Sequence, residues 1–205
     1  MQRRRKGSFF VISAPSGAGK TTLCKKIIAK DGNLRPSVSY TTRQPRSAEV
    51  DGLDYTFVTE RVFRNMIQRG EFAEWAAVHG NFYGTPKKGL GALLRSGFDV
   101  ILDIDTQGAR QIRDSLDGGV FIFILPPSVK VLRERLENRK SNTREDIERR
   151  MRRAVEEIKD YRMYDYVIIN DILNASLRKL EAIITAERLR TGRVEARWIK
   201  ENFLS

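Results

Sequence analysis

The chain has 205 residues, 40% of them hydrophobic and 31% charged, with a formal net charge of +12. That length suits one compact domain with room for a small insertion, and the composition supports a real core, which excludes a disordered chain. A single cysteine, Cys24, and a single histidine, His79, exclude a disulfide framework and a metal centre built from Cys or His.

The first apolar run, Phe9 to Ser13, has the unbroken hydrophobicity of a buried parallel strand. Counted to Ala14 it is too short for a signal-peptide core or a membrane span, so a reduced, cytoplasmic setting is expected. The segment Ser13–Thr22, SAPSGAGKTT, follows. It meets the phosphate-loop pattern at Gly19, Lys20 and Thr21 but has Ala14 where the pattern asks for glycine. A helix is expected over Lys20–Lys30, with Leu23, Ile27 and Ile28 on one side and Cys24 facing the core. In that strand–loop–helix setting, Gly17 and Gly19 allow backbone N–H groups to turn toward phosphate, and the helix dipole adds to the attraction. Lys20 would reach the β- and γ-phosphates, and the Thr21 hydroxyl would hold Mg²⁺.

Residues 36–85 have a different texture. Ser37–Thr41, Tyr55–Val58 and Glu71–Val78 are short β-type runs separated by turns, with a helix near Thr59–Arg69, which predicts an inserted, mainly antiparallel unit. His79 falls at a hairpin and is given no chemistry. Within this unit Arg43 and Arg46 flank a proline, and Tyr55 and Tyr83 supply hydroxyls that suit a second anion.

Strands then alternate with helices, which means a parallel α/β sheet. The strands are Asp99–Asp105, Val120–Leu125 and Tyr166–Asn170; the helices are Thr106–Ser115, Ser128–Arg139, Arg144–Tyr161 and Leu173–Arg190. Asp103 sits at the C-terminal end of its strand, where open α/β sheets place ligands, and is a candidate for the Mg²⁺ shell. Asp105, two residues on, is expected either to point the same way from the strand or to cap the next helix. Between Lys130 and Arg153 there are ten Lys or Arg and five Asp or Glu. Most of Arg149, Arg150, Arg152 and Arg153 read as a solvated basic face, although two arginine-rich helices could also close over a triphosphate. Thr143 and Asp146 form a capping box. The residues by themselves define a Mg-nucleotide enzyme with a second, phosphate-bearing substrate.

The ordered motifs SAPSGAGKTTL, SVSYTTRQPR, DGLDYTFV, GEFAEWAAVHGNFYGT, ILDIDTQGARQI, FIFILPPS and VIIND resemble the guanylate kinases from Phe9 to about Arg190. The resemblance implies a P-loop nucleoside-monophosphate-kinase fold. Its core would be residues 8–35, 86–127 and 160–190, with a GMP-binding insertion over 36–85 and a lid over 128–159. It implies ATP and GMP as substrates with Mg²⁺, and neither a nucleic-acid nor a membrane partner; monomer and homo-oligomer both stay open.

It also implies residue roles. Ala14, Pro15, Ser16, Gly17, Ala18, Gly19, Lys20, Thr21 and Thr22 would cradle ATP, with Ala14 an accepted variant. Arg135, Arg139 and Arg150 match lid and helix arginines near the ATP phosphates and adenine, and Asn170 matches a position on the same side. Arg43, Arg46, Tyr55 and Tyr83 match the holders of the GMP phosphate; Ser39, Glu74, Thr85 and Asp105 match those around guanine. Lys20, Arg43, Arg135 and Arg150 are the expected catalytic set. Lys140–Ser141 departs from the family pattern at the lid tip. The other readings are a P-loop kinase for a different phosphorylated acceptor and a non-catalytic guanylate-kinase-like module. The guanine-side residues argue against the first, and the retained lysine and arginines against the second.

Overall fold

A computed structural model describes residues 6–78, 80–138, 143–194 and 196–204. The expected roles of His79, Arg139 and Lys140–Ser141 fall outside them.

The chain runs β1 (Phe9–Ser13), α1 (Lys20–Lys30), β2 (Leu34–Pro36), β3 (Tyr40–Thr41), β4 (Thr56–Phe57), α2 (Glu60–Gln68), β5 (Phe72–Val78) and β6 (Asn81–Pro86). It continues with α3 (Lys87–Arg95), β7 (Asp99–Asp103), α4 (Thr106–Ser115), β8 (Val120–Leu125), α5 (Val129–Glu137), α6 (Arg144–Lys159), β9 (Tyr166–Ile169), α7 (Leu173–Arg188) and α8 (Ala196–Phe203). Five strands form a parallel sheet in the order β2-β7-β1-β8-β9. Its central strands are apolar on both faces because helices cover both: all five residues of β1 are buried. Phe10, Ile12, Leu23, Ile27 and Leu180 fill one side, and Val11, Leu102, Ile112, Phe121 and Phe123 the other.

A second sheet, β4-β3-β6-β5, lies within residues 40–86. It is mixed, since β3 pairs antiparallel with β6 but parallel with β4. Stacked Phe63, Phe72 and Phe82 make its own small core. The expected strand 37–41 divides. Ser37 N–H still donates to Ile101 O of the parallel sheet at 2.9 Å, whereas Ser39 O accepts from Thr56 N–H at 2.9 Å. The chain changes sheets across these residues, and Ser39 stands at the seam.

The strand expected over 99–105 ends at Asp103. Asp105 does not continue it beside Asp103; it is the N-cap of α4 and accepts from Gly108 N–H at 2.9 Å. Thr143 caps α6 as expected, accepting from Asp146 N–H.

Candidate active site

β1 stands between β7 and β8, where the order of connection reverses, so a crevice opens beyond its C-terminal end. The loop Ala14–Gly19 fills the base of that crevice. Gly17 and Gly19 have φ of 97° and 92°, a conformation that L side chains rarely adopt. A Cβ at Gly19 would come within 2.4 Å of Asn170 Nδ2. Ala14 is half-buried against the first core cluster, so its methyl group has a place.

The loop is tied to the far side of the sheet. The buried Asn170 donates from Nδ2 to Ala18 O at 2.7 Å. Arg135, on α5, donates to Asn170 O at 2.9 Å. Lys20 Nζ lies 2.7 Å from both Ile104 O and Asp103 Oδ1. Burial by itself would push the ammonium down in pKa, but the charge and hydrogen bond of Asp103 outweigh it and hold Lys20 above its ordinary value. The lysine is therefore a fixed positive charge at the mouth of the loop.

Loop residues Ala14–Gly17 and Gly19–Thr22 line a cavity of about 290 Å³ together with Val78, Asp105, Arg150, Arg153 and Glu157. Arg150 Nε is buried without a hydrogen-bond partner. Arg153 donates to Glu157 Oε1 at 2.9 Å and lies 3.4 Å from Asp105 Oδ2. Arg153 and Glu157 were not singled out from the sequence, yet a signal was there: 150, 153 and 157 fall on one helical face.

A second cavity, of about 140 Å³, adjoins the first. Ser39, Tyr55, Glu74, Ala76, Val78, Tyr83, Asp103, Ile104 and Asp105 line it. Glu74 is buried and its Oε1 accepts from Thr85 Oγ1 at 2.7 Å. The carboxyl is pushed up to about 7, chiefly by burial and next by the nearby charge of Asp105. Gly108 is required here, because a Cβ would meet Glu74 Oε2 at 2.5 Å. α4 is held against β5 by a reciprocal pair: Trp75 N–H donates to Gln111 Oε1 at 3.1 Å, and Gln111 Nε2 to Trp75 O at 2.8 Å.

At the rim, Arg43 makes a two-pronged pair with Glu49 at 2.8 and 2.9 Å and stands 5.5 Å over the Tyr55 ring. Glu49 also accepts from Arg46 N–H at 2.9 Å. Burial opposes its ionisation, but this N–H and Arg43 hold its carboxyl below the usual range. Tyr55 and Tyr83 meet edge to face at 5.9 Å. Arg46 itself is exposed and does not line either cavity.

A glycine loop between buried strand and helix, a fixed lysine at its mouth and a parallel sheet reversing at that point define an α/β protein of the P-loop nucleotide-binding class. The family model described as guanylate kinase matches residues 6–187, and the chain belongs to the guanylate kinase family. Guanylate kinase from Geobacter metallireducens is 54% identical over 191 residues, 93% of this chain and 94% of that protein. The Carboxydothermus hydrogenoformans protein of the same name is 48% identical over 196 residues, 96% of each. The crystal structure of guanylate kinase from Anaplasma phagocytophilum superposes with a TM-score of 0.79 at 34% identity, covering 98% of this chain and 97% of that one.

Proposed function

We propose that the protein transfers the γ-phosphoryl group of ATP to GMP, giving ADP and GDP. The observation that carries this reading is the adjacency of the two cavities. The one at the phosphate loop and the one around Glu74 share Val78 and Asp105 as lining residues. A donor phosphate in the first and an acceptor phosphate between them would lie in line.

In this reading residues 14–22 cradle the donor phosphates, Arg135 and Arg150 neutralise the moving group, and Asn170 holds the loop. Arg139 belongs to the same set. Arg43, Arg46, Tyr55 and Tyr83 take the acceptor phosphate; Ser39, Glu74, Thr85 and Asp105 surround guanine. Residues 8–35, 86–127 and 160–190 are the rigid core, 36–85 the GMP-binding unit and 128–159 the lid. The reading is of a cytoplasmic enzyme of nucleotide metabolism; no helix among the described residues is long and apolar enough to cross a membrane.

The acceptor oxygen needs no general base. A phosphate monoester has its second pKa near ~6 and is mostly dianionic at neutral pH. The residues therefore position two polyanions and offset their charge, and closure excludes the water that would otherwise take the phosphoryl group. Guanine is chosen by Glu74: its carboxylate can accept from N1–H and the 2-amino group, which adenine lacks, so AMP would leave it unpaired. Mg²⁺ would be held by the Thr21 hydroxyl and, through water, by Asp103, and would supply charge to the phosphate oxygens. No group of three or more His, Cys, Asp or Glu that could hold a metal occurs among the described residues.

ADP release measured across GMP, AMP, UMP and CMP tests the reading. Turnover with GMP and not with the others is expected; equal turnover with a second nucleotide would refute it.

A further inference from the structure

A further cavity lies away from the phosphate loop. It holds about 440 Å³ and opens at the N-terminal edge of the parallel sheet, where Ser8 leads into Phe9, the first residue of β1. The five residues of β1 separate it from the loop by about 16 Å. Its floor is apolar: Phe9 and Leu90 are buried there, and Leu94 and Leu116 complete it. Its rim carries Lys6, Lys87 and Arg193 against one acid, Asp117. Arg193 donates to Ser8 Oγ and Gly118 O, both neutral, and no carboxylate pairs with any of the three cations among the described residues. The volume falls in the range of small-molecule sites, about 300–1,000 Å³. Apolar floor and uncompensated cationic rim together select an amphipathic anion.

The cavity also touches the back of the guanine site. Ala73 lines it and is the residue at which the β5–β6 register shifts, between Phe72 and Glu74. Lys87, on its rim, follows Thr85 by two residues. The buried Thr85–Glu74 hydrogen bond thus lies between the two cavities along the same strand pair. An anion seated among the rim cations lies against Ala73, and through the β5–β6 irregularity it bears on the neighbouring Glu74.

We infer that this cavity is a second ligand site, for a small monoanion with an apolar ring or chain, and that its occupation weakens GMP binding to a finite extent. The effect on GMP rests on the function proposed above; the binding does not.

The probe is 8-anilinonaphthalene-1-sulfonate, an aromatic monoanion that fluoresces when held in apolar surroundings. The full chain, saturated with GMP and ADP, should still bind one equivalent. Lys87→Glu should weaken binding about fivefold or more; it puts an acid in the first turn of α3 and so favours that helix. Leu116→Trp should abolish binding by filling the floor, and thermal melting reports whether that variant folds. In kinetics, the probe should raise the KM for GMP to a plateau of about threefold and leave the KM for ATP unchanged. Probe fluorescence lost on adding GMP and ADP, or unaltered by Lys87→Glu, would overturn the site. A KM that climbs without limit would place the probe in the nucleotide site, and an unchanged KM would overturn the coupling.

Discussion

Replacing Glu74 by Gln separates a guanine-reading carboxylate from a merely structural one, because it should move activity and stability in opposite directions. In the ligand-free protein burial raises this carboxyl from an ordinary 4.5 to about 7. The folded state therefore keeps a proton between those two values that the unfolded chain has released. Stability from this group is fully present below about pH 4.5 and falls as pH rises through 7. The interval corresponds to about 3 kcal/mol of lost stability by pH 8. Gln has the shape of the protonated acid and no charge to bury, so the variant should avoid that loss.

The variant should melt on the order of 5–10 °C higher than wild type at pH 8. The difference should shrink toward zero near pH 4.5, with circular dichroism as the readout. Turnover should suffer. Thr85 Oγ1 needs an acceptor at Oε1, so the amide NH₂ must take the other position and face the guanine donors. Losing one charge-assisted bond and opposing donor to donor should cost about 1.5–3 kcal/mol, a fall of roughly 10–100-fold in kcat/KM for GMP. The dissociation constant for ATP alone should not move. A variant that is less stable at pH 8, or that keeps the wild-type KM for GMP, would refute the reasoning.

Lys20→Ala should reduce turnover by about 10²–10³-fold or more while the fold persists, because the lysine meets charge that gathers on the transferring group; a near-wild-type rate in the coupled assay would exclude the loop as donor site. Arg43→Ala should weaken GMP by about 2 kcal/mol, roughly 30-fold in KM, leaving ATP titration unchanged. Adding Glu49→Gln to it should restore part of the loss, since the first change leaves a carboxylate without its partner beside the acceptor phosphate. Gly19→Ala should lower the melting temperature, because the new methyl group meets Asn170 at 2.4 Å and strains a left-handed backbone. It should weaken ATP as well, and an unaltered ATP affinity would count against the loop geometry.

The parallel sheet was legible because its strands are buried on both faces, so β1, β7 and β8 appear as unbroken apolar runs. β2 was not legible, and β3 was legible only as the end of a run over 37–41 whose start belongs to the other sheet. They are three and two residues long and belong to different sheets, so no periodicity marks either. The end of β7 was misjudged because Ile104 is apolar and continues the strand pattern, while capping of α4 by Asp105 takes the backbone elsewhere. The phosphate loop was found by residue spacing, whereas Glu74 and Asp105 came together only by family resemblance, since they lie on β5 and before α4. Arg153 was lost among exposed arginines because nothing local distinguishes it from Arg152; its partners Asp105 and Glu157 do.

Two cations assigned to phosphates are already paired with carboxylates, Lys20 with Asp103 and Arg43 with Glu49, and so is Arg153, which lines the phosphate-loop cavity, with Asp105 and Glu157. Half-buried charges need such partners, since leaving one unpaired costs far more than an exposed pair is worth. The side chains of these pairs are only 13–33% exposed, so each pair keeps more of its strength than a surface ion pair does. A phosphate offers more charge and more acceptor oxygens to the same guanidinium, at about 1.5–3 kcal/mol for each charge-assisted bond. Exchange of carboxylate for phosphate keeps each cation paired throughout, and the cations stand in place beforehand instead of being ordered by the substrate. The displaced carboxylates then face polyanions, which favours one outcome for each. Asp103, the last residue of its strand and beside the loop, would hold Mg²⁺ in the proposed reaction. Glu49 keeps Arg46 N–H as partner, and Asp105 keeps Gly108 N–H. Arg150 alone among the cavity's arginines has a buried nitrogen with no partner in the ligand-free protein, and its replacement by Lys, which preserves the charge but not that N–H, should slow phosphoryl transfer more than it weakens ATP.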